Sequence, residues 1–172
     1  MISGFHTEKI DKAPIYPYPP NICEVIAVYN SLSSLKNSGK LKKEYDFPDL
    51  LEKFEEKGIS AEGNFGTNPM AINNFLKEEG YETKMIVGAD ITEDKIRYLS
   101  EEFDTYIITV YNDKDDITKK VHTMSITVNQ QGKYVIHNDY NTYGKDQRDC
   151  LNDVINSYED GNNKLIDIIG VK

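Results

Sequence analysis

Cysteine is scarce in this chain, which has only two cysteines among its 172 residues. Cys23 and Cys150 can pair with each other, but they are too few to build the disulfide framework on which small secreted domains depend. The first residues also contain neither the basic segment nor the apolar core of a secretory signal peptide. We therefore expect a cytoplasmic protein with free thiols.

Positive charge and long apolar runs are lacking as well. Lys and Arg total 20 against 29 Asp and Glu, so the formal net charge is −9. Lysines cluster only within residues 36–43, and acidic residues follow them at once, so no basic surface is available to neutralise phosphates. No apolar run is long enough to cross a bilayer. We therefore expect neither a nucleic-acid partner nor a membrane partner.

The remaining composition is typical of one globular domain. Hydrophobic residues make up 38% of the chain and charged residues 28%, and no linker or internal repeat divides it. Four of the six prolines lie between residues 14 and 20, where they exclude a helix. We therefore expect an extended, proline-rich arm over residues 1–20 and a single domain over residues 20–172.

The periodicity of apolar residues predicts helices mainly in the first half of the domain and strands mainly in the second. Capping residues, prolines and glycines delimit the helices. The expected fold class is α+β, with an N-terminal helical half packed on a C-terminal antiparallel sheet. The predicted helices cover about 22–35, 46–57, 69–79, 92–99 and 150–158, and the predicted strands 81–87, 105–111, 121–128, 133–139 and 164–171.

Cys23 lies in the first turn of the first predicted helix, directly after the proline-rich arm. Unpaired backbone N–H groups and the positive end of the helix dipole stabilise an anion at this place. The sequence therefore predicts a lowered pKa and a reactive thiolate at Cys23. The alternative is a structural cysteine that is buried and behaves as a small hydrophobic residue.

A histidine and a carboxylate are predicted to meet across a hairpin. If Asn129–Gly132 forms a four-residue loop, antiparallel pairing places His122 opposite Asp139. A shift of one residue replaces Asp139 with Asn138 or Tyr140, which are still close enough for side-chain contact. The plainer alternatives are a hydrogen-bonded or solvated edge histidine and an ordinary Asn-Asp turn.

Other uses of the histidines and cysteines stay open at this point. His137 shares a strand face with Asp139, so it is either a second histidine of the site or an exposed polar residue. Both cysteines with His122 and His137 can be imagined around a metal ion, but their spacing matches no paired-ligand motif. We therefore expect no metal and no cofactor.

Four short motifs occur along the chain in a fixed order and cover about residues 20–143: Asn21–Cys23, Gly66–Pro69, His122–Val128 and Gly132–Asp139. In order and spacing the set resembles the papain-like cysteine peptidases, and more narrowly the branch that processes bacteriocin leaders. The resemblance implies a papain-like fold in which Cys23 is the nucleophile and His122 the general base and acid. It also implies that Asp139, with Asn138 as the close alternative, orients the imidazole.

Two positions depart from the pattern of that family. Glu24 follows the thiol, where many relatives have Gly-Pro. Pro17 stands where relatives have a glutamine that helps to form the oxyanion hole. Asn21, together with the backbone N–H of Cys23, is the nearest candidate donor. Loss of one oxyanion donor typically costs about 10²–10³ in rate.

Three functions are compatible with these residues. The first is a cysteine peptidase or amide hydrolase that acts on a peptide or protein through a Cys-His-Asp/Asn triad. The second is a thiol acyltransferase, in which an amine replaces water. The third is a catalytically weak papain-like domain that binds a peptide or protein. The sequence specifies neither the substrate nor the oligomeric state.

Overall fold

The computed structural model describes residues 22–59, 68–111, 121–137, 147–159 and 164–172. The predicted arm over residues 1–20 lies outside these ranges. The described helices are α1 (Cys23–Asn37), α2 (Phe47–Glu56), α3 (Pro69–Glu78), α4 (Glu93–Glu102) and α5 (Leu151–Glu159), with a short 3-10 turn at Gly88–Asp90. The described strands are β1 (Thr83–Val87), β2 (Thr105–Tyr111), β3 (Val121–Val128), β4 (Tyr134–His137), β5 (Gln147–Arg148) and β6 (Lys164–Val171).

These strands form one sheet in the order β1-β6-β2-β3-β4-β5, and every neighbouring pair is antiparallel. The prediction of an α+β fold with an antiparallel sheet is therefore confirmed. The last strand of the chain, β6, does not add to an edge. It lies between β1 and β2, in the interior of the sheet.

Helices cover both faces of the sheet, whereas the sequence predicted a single helical half. Helices α1, α2 and α3 pack on one face, which we call the α1 face, together with Ile107, Ile169 and Val171. Helices α4 and α5 pack on the other, the α5 face, with Ile108 and Ile168. The physical reason lies in strands such as β2, whose first six residues are all buried. Such a strand needs cover on both sides.

Side-chain caps explain where two of the helices begin. The Asp46 carboxylate accepts a hydrogen bond of 2.9 Å from the Asp49 backbone N–H at the start of α2. The Asn68 side chain accepts one of 3.0 Å from the Met70 N–H at the start of α3. A proline stands in the first turn of each helix, where its missing N–H costs nothing. These predicted starts are confirmed.

The hairpin between β3 and β4 closes with a shorter loop than the sequence predicted. Asn129 donates its backbone N–H to the Lys133 carbonyl at 2.9 Å, and Gly132 donates to the Asn129 carbonyl at 2.9 Å. Gly132 has φ 74°, the left-handed conformation of a three-residue loop with a bulge. Val128 therefore pairs with Tyr134, so the predicted register is wrong by one residue.

Gly170 in β6 is a point where the core leaves no room for a side chain. A Cβ atom there would lie 2.8 Å from Cγ of Phe103 and 3.0 Å from Cδ2 of Leu99. We expect Gly170→Ala to lower the free energy of unfolding by about 1–3 kcal/mol, measured by urea denaturation. Lys84→Ala, at the exposed cross-strand neighbour of Gly170, is the matched control and should change it by less than about 0.5 kcal/mol. Equal effects of both substitutions would contradict this packing argument.

Candidate active site

Cys23 is the first residue of α1, and this end of the helix lies over the beginning of β3. The thiol is half-buried and donates to Oε2 of Glu24 at 3.3 Å. Thr123 lies beside the sulfur, and its backbone N–H and its hydroxyl both act to lower the pKa of the thiol. The start of the cysteine helix and the start of the histidine strand are therefore brought together, because Thr123 directly follows His122.

His122 is 4% exposed and pairs with Val110 in the ladder between β2 and β3. Paired residues of an antiparallel ladder share a face, so the Cα–Cβ bond of His122 starts toward the α5 face while that of Thr123 points to α1. The ladder therefore starts the His122 side chain away from the face on which Thr123 lies beside the thiol.

His137 is the histidine whose strand position faces α1. It pairs with Ser125 in the ladder, is 2% exposed, and its Nε2 lies 2.8 Å from Oγ1 of Thr127. The interpretation of His137 as an exposed polar residue is therefore wrong. The corrected hairpin register explains this placement. It pairs His137 with Ser125, which lies on the same face as Thr123 and Thr127 because alternate residues of a strand share a face.

The thiol of Cys23 is not activated in this structure. Burial is the main cause that raises its pKa to about 12, and the negative charge of Glu24 adds to the rise. The contacts with Thr123 act in the opposite direction but are weaker. At pH 7 such a thiol is almost entirely in the neutral form. The prediction that the helix start lowers this pKa is therefore wrong, because desolvation and a neighbouring carboxylate outweigh the helix dipole.

Several predicted site residues lie outside the described ranges. The carboxylate or amide expected to orient the histidine, Asp139 or Asn138, follows the described part of β4. The candidate oxyanion donor Asn21 and the departure at Pro17 precede α1. Their roles stay predictions.

The second cysteine takes no part in the site. Cys150 is exposed beside the start of α5, and both cysteines are free thiols. In the described part of the chain, no group of three or more His, Cys, Asp or Glu side chains is placed to hold a metal ion.

Asp167 is a buried carboxyl group that the sequence analysis did not identify. It lies in the apolar strand β6, is 0% exposed, and neither carboxylate oxygen has a hydrogen-bond partner of normal geometry among the described residues. Burial raises its pKa to about 7, and the nearby Thr109 hydroxyl partly opposes the rise. A lone acidic residue within Leu165–Val171 was the available signal, but only the sheet shows which face it takes.

Small hydroxyl side chains line the sheet beneath α1, where an apolar core would be ordinary. Ser31 of α1 and Thr105 of β2 are linked at 3.3 Å between their hydroxyl oxygens, and Thr105 also donates to the Ile126 carbonyl at 3.0 Å. The cysteine helix therefore rests on a polar strip, which is buried throughout: Thr105, Thr109, Thr123, Ser125 and Thr127.

Comparison with known proteins gave no match: no family model matches the chain, and neither a curated protein nor a solved structure does. Among the helices that the structure describes, none is long and apolar enough to cross a membrane.

Proposed function

We propose that this protein is a cysteine peptidase or amide hydrolase with a papain-like arrangement, in which Cys23 is the nucleophile and His122 its base. The observation that carries the proposal is the meeting of α1 and β3, where the thiol contacts the residue that follows His122. Thiol hydrolysis needs a histidine close to the cysteine as its base, and the meeting of these two elements supports that pairing. The α+β fold and the antiparallel sheet are compatible with the proposed papain-like arrangement.

The raised pKa of the thiol determines how the reaction starts. A neutral thiol cannot attack efficiently, so His122 takes the proton from sulfur while the sulfur adds to the substrate carbonyl. His122 then gives this proton to the leaving amine, and the acyl group stays on Cys23 as a thioester. Water attacks the thioester with His122 again as the base, which releases the acid and restores the thiol. Asp139 or Asn138 would orient the imidazole, and Asn21 with the Cys23 N–H would stabilise the oxyanion.

Cleavage of a diverse peptide mixture tests the proposal. The native protein should generate new peptide termini that mass spectrometry identifies, and Cys23→Ala should generate none because the nucleophile is gone. Cys150→Ala is the matched control, since this exposed thiol lies away from the site, and it should cleave like the native protein. Cleavage that survives in Cys23→Ala would refute the assignment.

A binding module is the second candidate, and the raised pKa of Cys23 is the observation that favours it. A buried thiol beside a carboxylate suits packing better than attack, so the domain would hold a peptide without cutting it. Mass spectrometry of peptides retained from the same mixture distinguishes the two functions. A binding module retains one set of peptides on both the native protein and Cys23→Ala and cleaves none of them.

A further inference from the structure

A row of three side chains runs across the α1 face from the thiol of Cys23 to a buried carboxyl group. Strand β2 lies between β3 and β6, and its Thr109 pairs with Thr123 on one side and with Asp167 on the other. All three are at most 1% exposed. Since adjacent strands lie about 4.8 Å apart, the row is about 10 Å long.

The two ends of the row have different chemistry. At one end, the Thr123 hydroxyl lies beside the sulfur of Cys23 and acts to lower the pKa of the thiol. At the other, Asp167 and its ladder neighbour Thr109 are buried, and neither the carboxylate oxygens nor the Thr109 hydroxyl has a hydrogen-bond partner of normal geometry among the described residues. A buried carboxyl group requires a donor or a proton. A threonine hydroxyl donates to one group and accepts from another, so two of them can connect the carboxyl group to the thiol.

We propose that Asp167 is a positioning residue for Cys23 and acts on it through Thr109 and Thr123. When Asp167 is ionised, it accepts the hydroxyl proton of Thr109, and Thr109 accepts that of Thr123. The Thr123 hydroxyl then has no proton to donate to sulfur. When Asp167 is protonated, it donates to Thr109, the row reverses, and Thr123 donates to sulfur, which favours the thiolate. Only hydrogen bonds change as the hydroxyl groups rotate, and no covalent bond to sulfur is made or broken.

This inference concerns the protonation of the site in the proposed hydrolase and deepens that proposal. Other titratable groups face the same region and have to be separated from Asp167. Among the described residues they are Glu24 on α1, His137 on β4 and Tyr111 at the end of β2, together with His122, the proposed base, which precedes Thr123 on β3. Beside β6, the exposed Asp90 forms an ion pair with Lys95. Strand β1 and helix α3 contribute no buried titratable side chain. Because none of these groups belongs to the row, removal of the Thr109 hydroxyl isolates the effect of Asp167.

The test is the rate constant for alkylation of Cys23 by iodoacetamide between about pH 5.5 and 9, with Cys150 in the same molecule as the reference thiol. In the native protein, the logarithm of the Cys23 rate should rise with pH and flatten near pH 7, where Asp167 ionises. In Asp167→Asn, the logarithm of the Cys23 rate should rise with pH without flattening. Above pH 8, Cys23 in this variant should react about tenfold faster than in the native protein, which is the effect of one hydrogen bond to the charged sulfur.

Two variants at one position show whether the hydroxyl row carries the effect. Thr109→Val keeps the shape of the side chain and removes the hydroxyl, so the flattening should disappear. Thr109→Ser retains the hydroxyl, so its alkylation profile should flatten as the native profile does. Asp94→Asn, at an exposed position of α4, is the control for charge and should leave the native profile unchanged.

Flattening that persists in Thr109→Val, or a native profile without flattening, would overturn the inference. The Val and Ser pair decides the question even where Asp167→Asn fails to fold. The outcome is independent of the peptide-cleavage assay. If the Cys23 alkylation profile of the native protein flattens but the protein cuts no peptide, only the proposed hydrolase is refuted. If the protein cuts peptides and its profile does not flatten, only the role of Asp167 is refuted.

Discussion

Replacement of His122 by alanine is expected to lower kcat/KM for peptide cleavage by about 10³–10⁴-fold. The large effect follows from the raised pKa of Cys23, because a thiol that is almost entirely neutral at pH 7 depends on a base for each attack. The loss should fall mainly on kcat, since the imidazole moves a proton and does not hold the substrate. Initial rates on a peptide found in the cleavage assay measure this loss.

His137→Gln is the matched control for this prediction. His137 is also a buried histidine close to β3, and a glutamine amide can keep the hydrogen bond to Thr127. We expect it to retain most of the native kcat, because His137 lies at the pair with Ser125, further along β3 than the Thr123 contact with the thiol. If His137→Gln loses activity and His122→Ala keeps it, the base is His137.

Replacement of Glu24 by glutamine is expected to speed alkylation of Cys23 about 10–100-fold at pH 7.5. Glu24 is 0% exposed and raises the pKa of the thiol in two ways, through its negative charge and as the acceptor of the S–H. Glutamine has the same shape without the charge, so the pKa of the thiol should fall. Iodoacetamide labelling with peptide mapping measures the rate, and Cys150 again provides the internal reference.

Glu52→Gln, at an exposed position of α2, controls for the change in net charge and should leave the Cys23 rate unchanged. The sign is the decisive part of the Glu24 result. A slower rate would mean that Glu24 activates the thiol as a base, opposite to the direction argued above. The prediction also gives a physical meaning to the sequence departure at this position, since a charged residue beside the thiol keeps it protonated.

Local chemistry made most of the elements predictable from the sequence. The strands β2 and β6 have the bounds that their β-branched and apolar runs indicate. Asp46 and Asn68, each with a proline close behind, mark the starts of α2 and α3. The coverage of both sheet faces was not predictable in the same way, because a buried strand does not show which later helix will cover it.

The errors at the site come from properties that arise only in three dimensions. The hairpin register depended on whether Gly132 would take a positive φ within the loop, and one residue of difference moves His137 to the α1 face. The pKa of Cys23 depended on burial and on the direction of the Glu24 side chain. The meeting of Cys23 with the beginning of β3 was implied by a family resemblance, and no local pattern could have produced it.

The interior position of β6 has a consequence for folding. This strand joins β1 to β2, because Val171 pairs with Thr83 on one side and with Thr105 on the other. Pairing between strands so far apart in the sequence slows folding. Until β6 inserts, the facing edges of β1 and β2 stay open to other strands, so a folding intermediate without β6 is the form most exposed to aggregation.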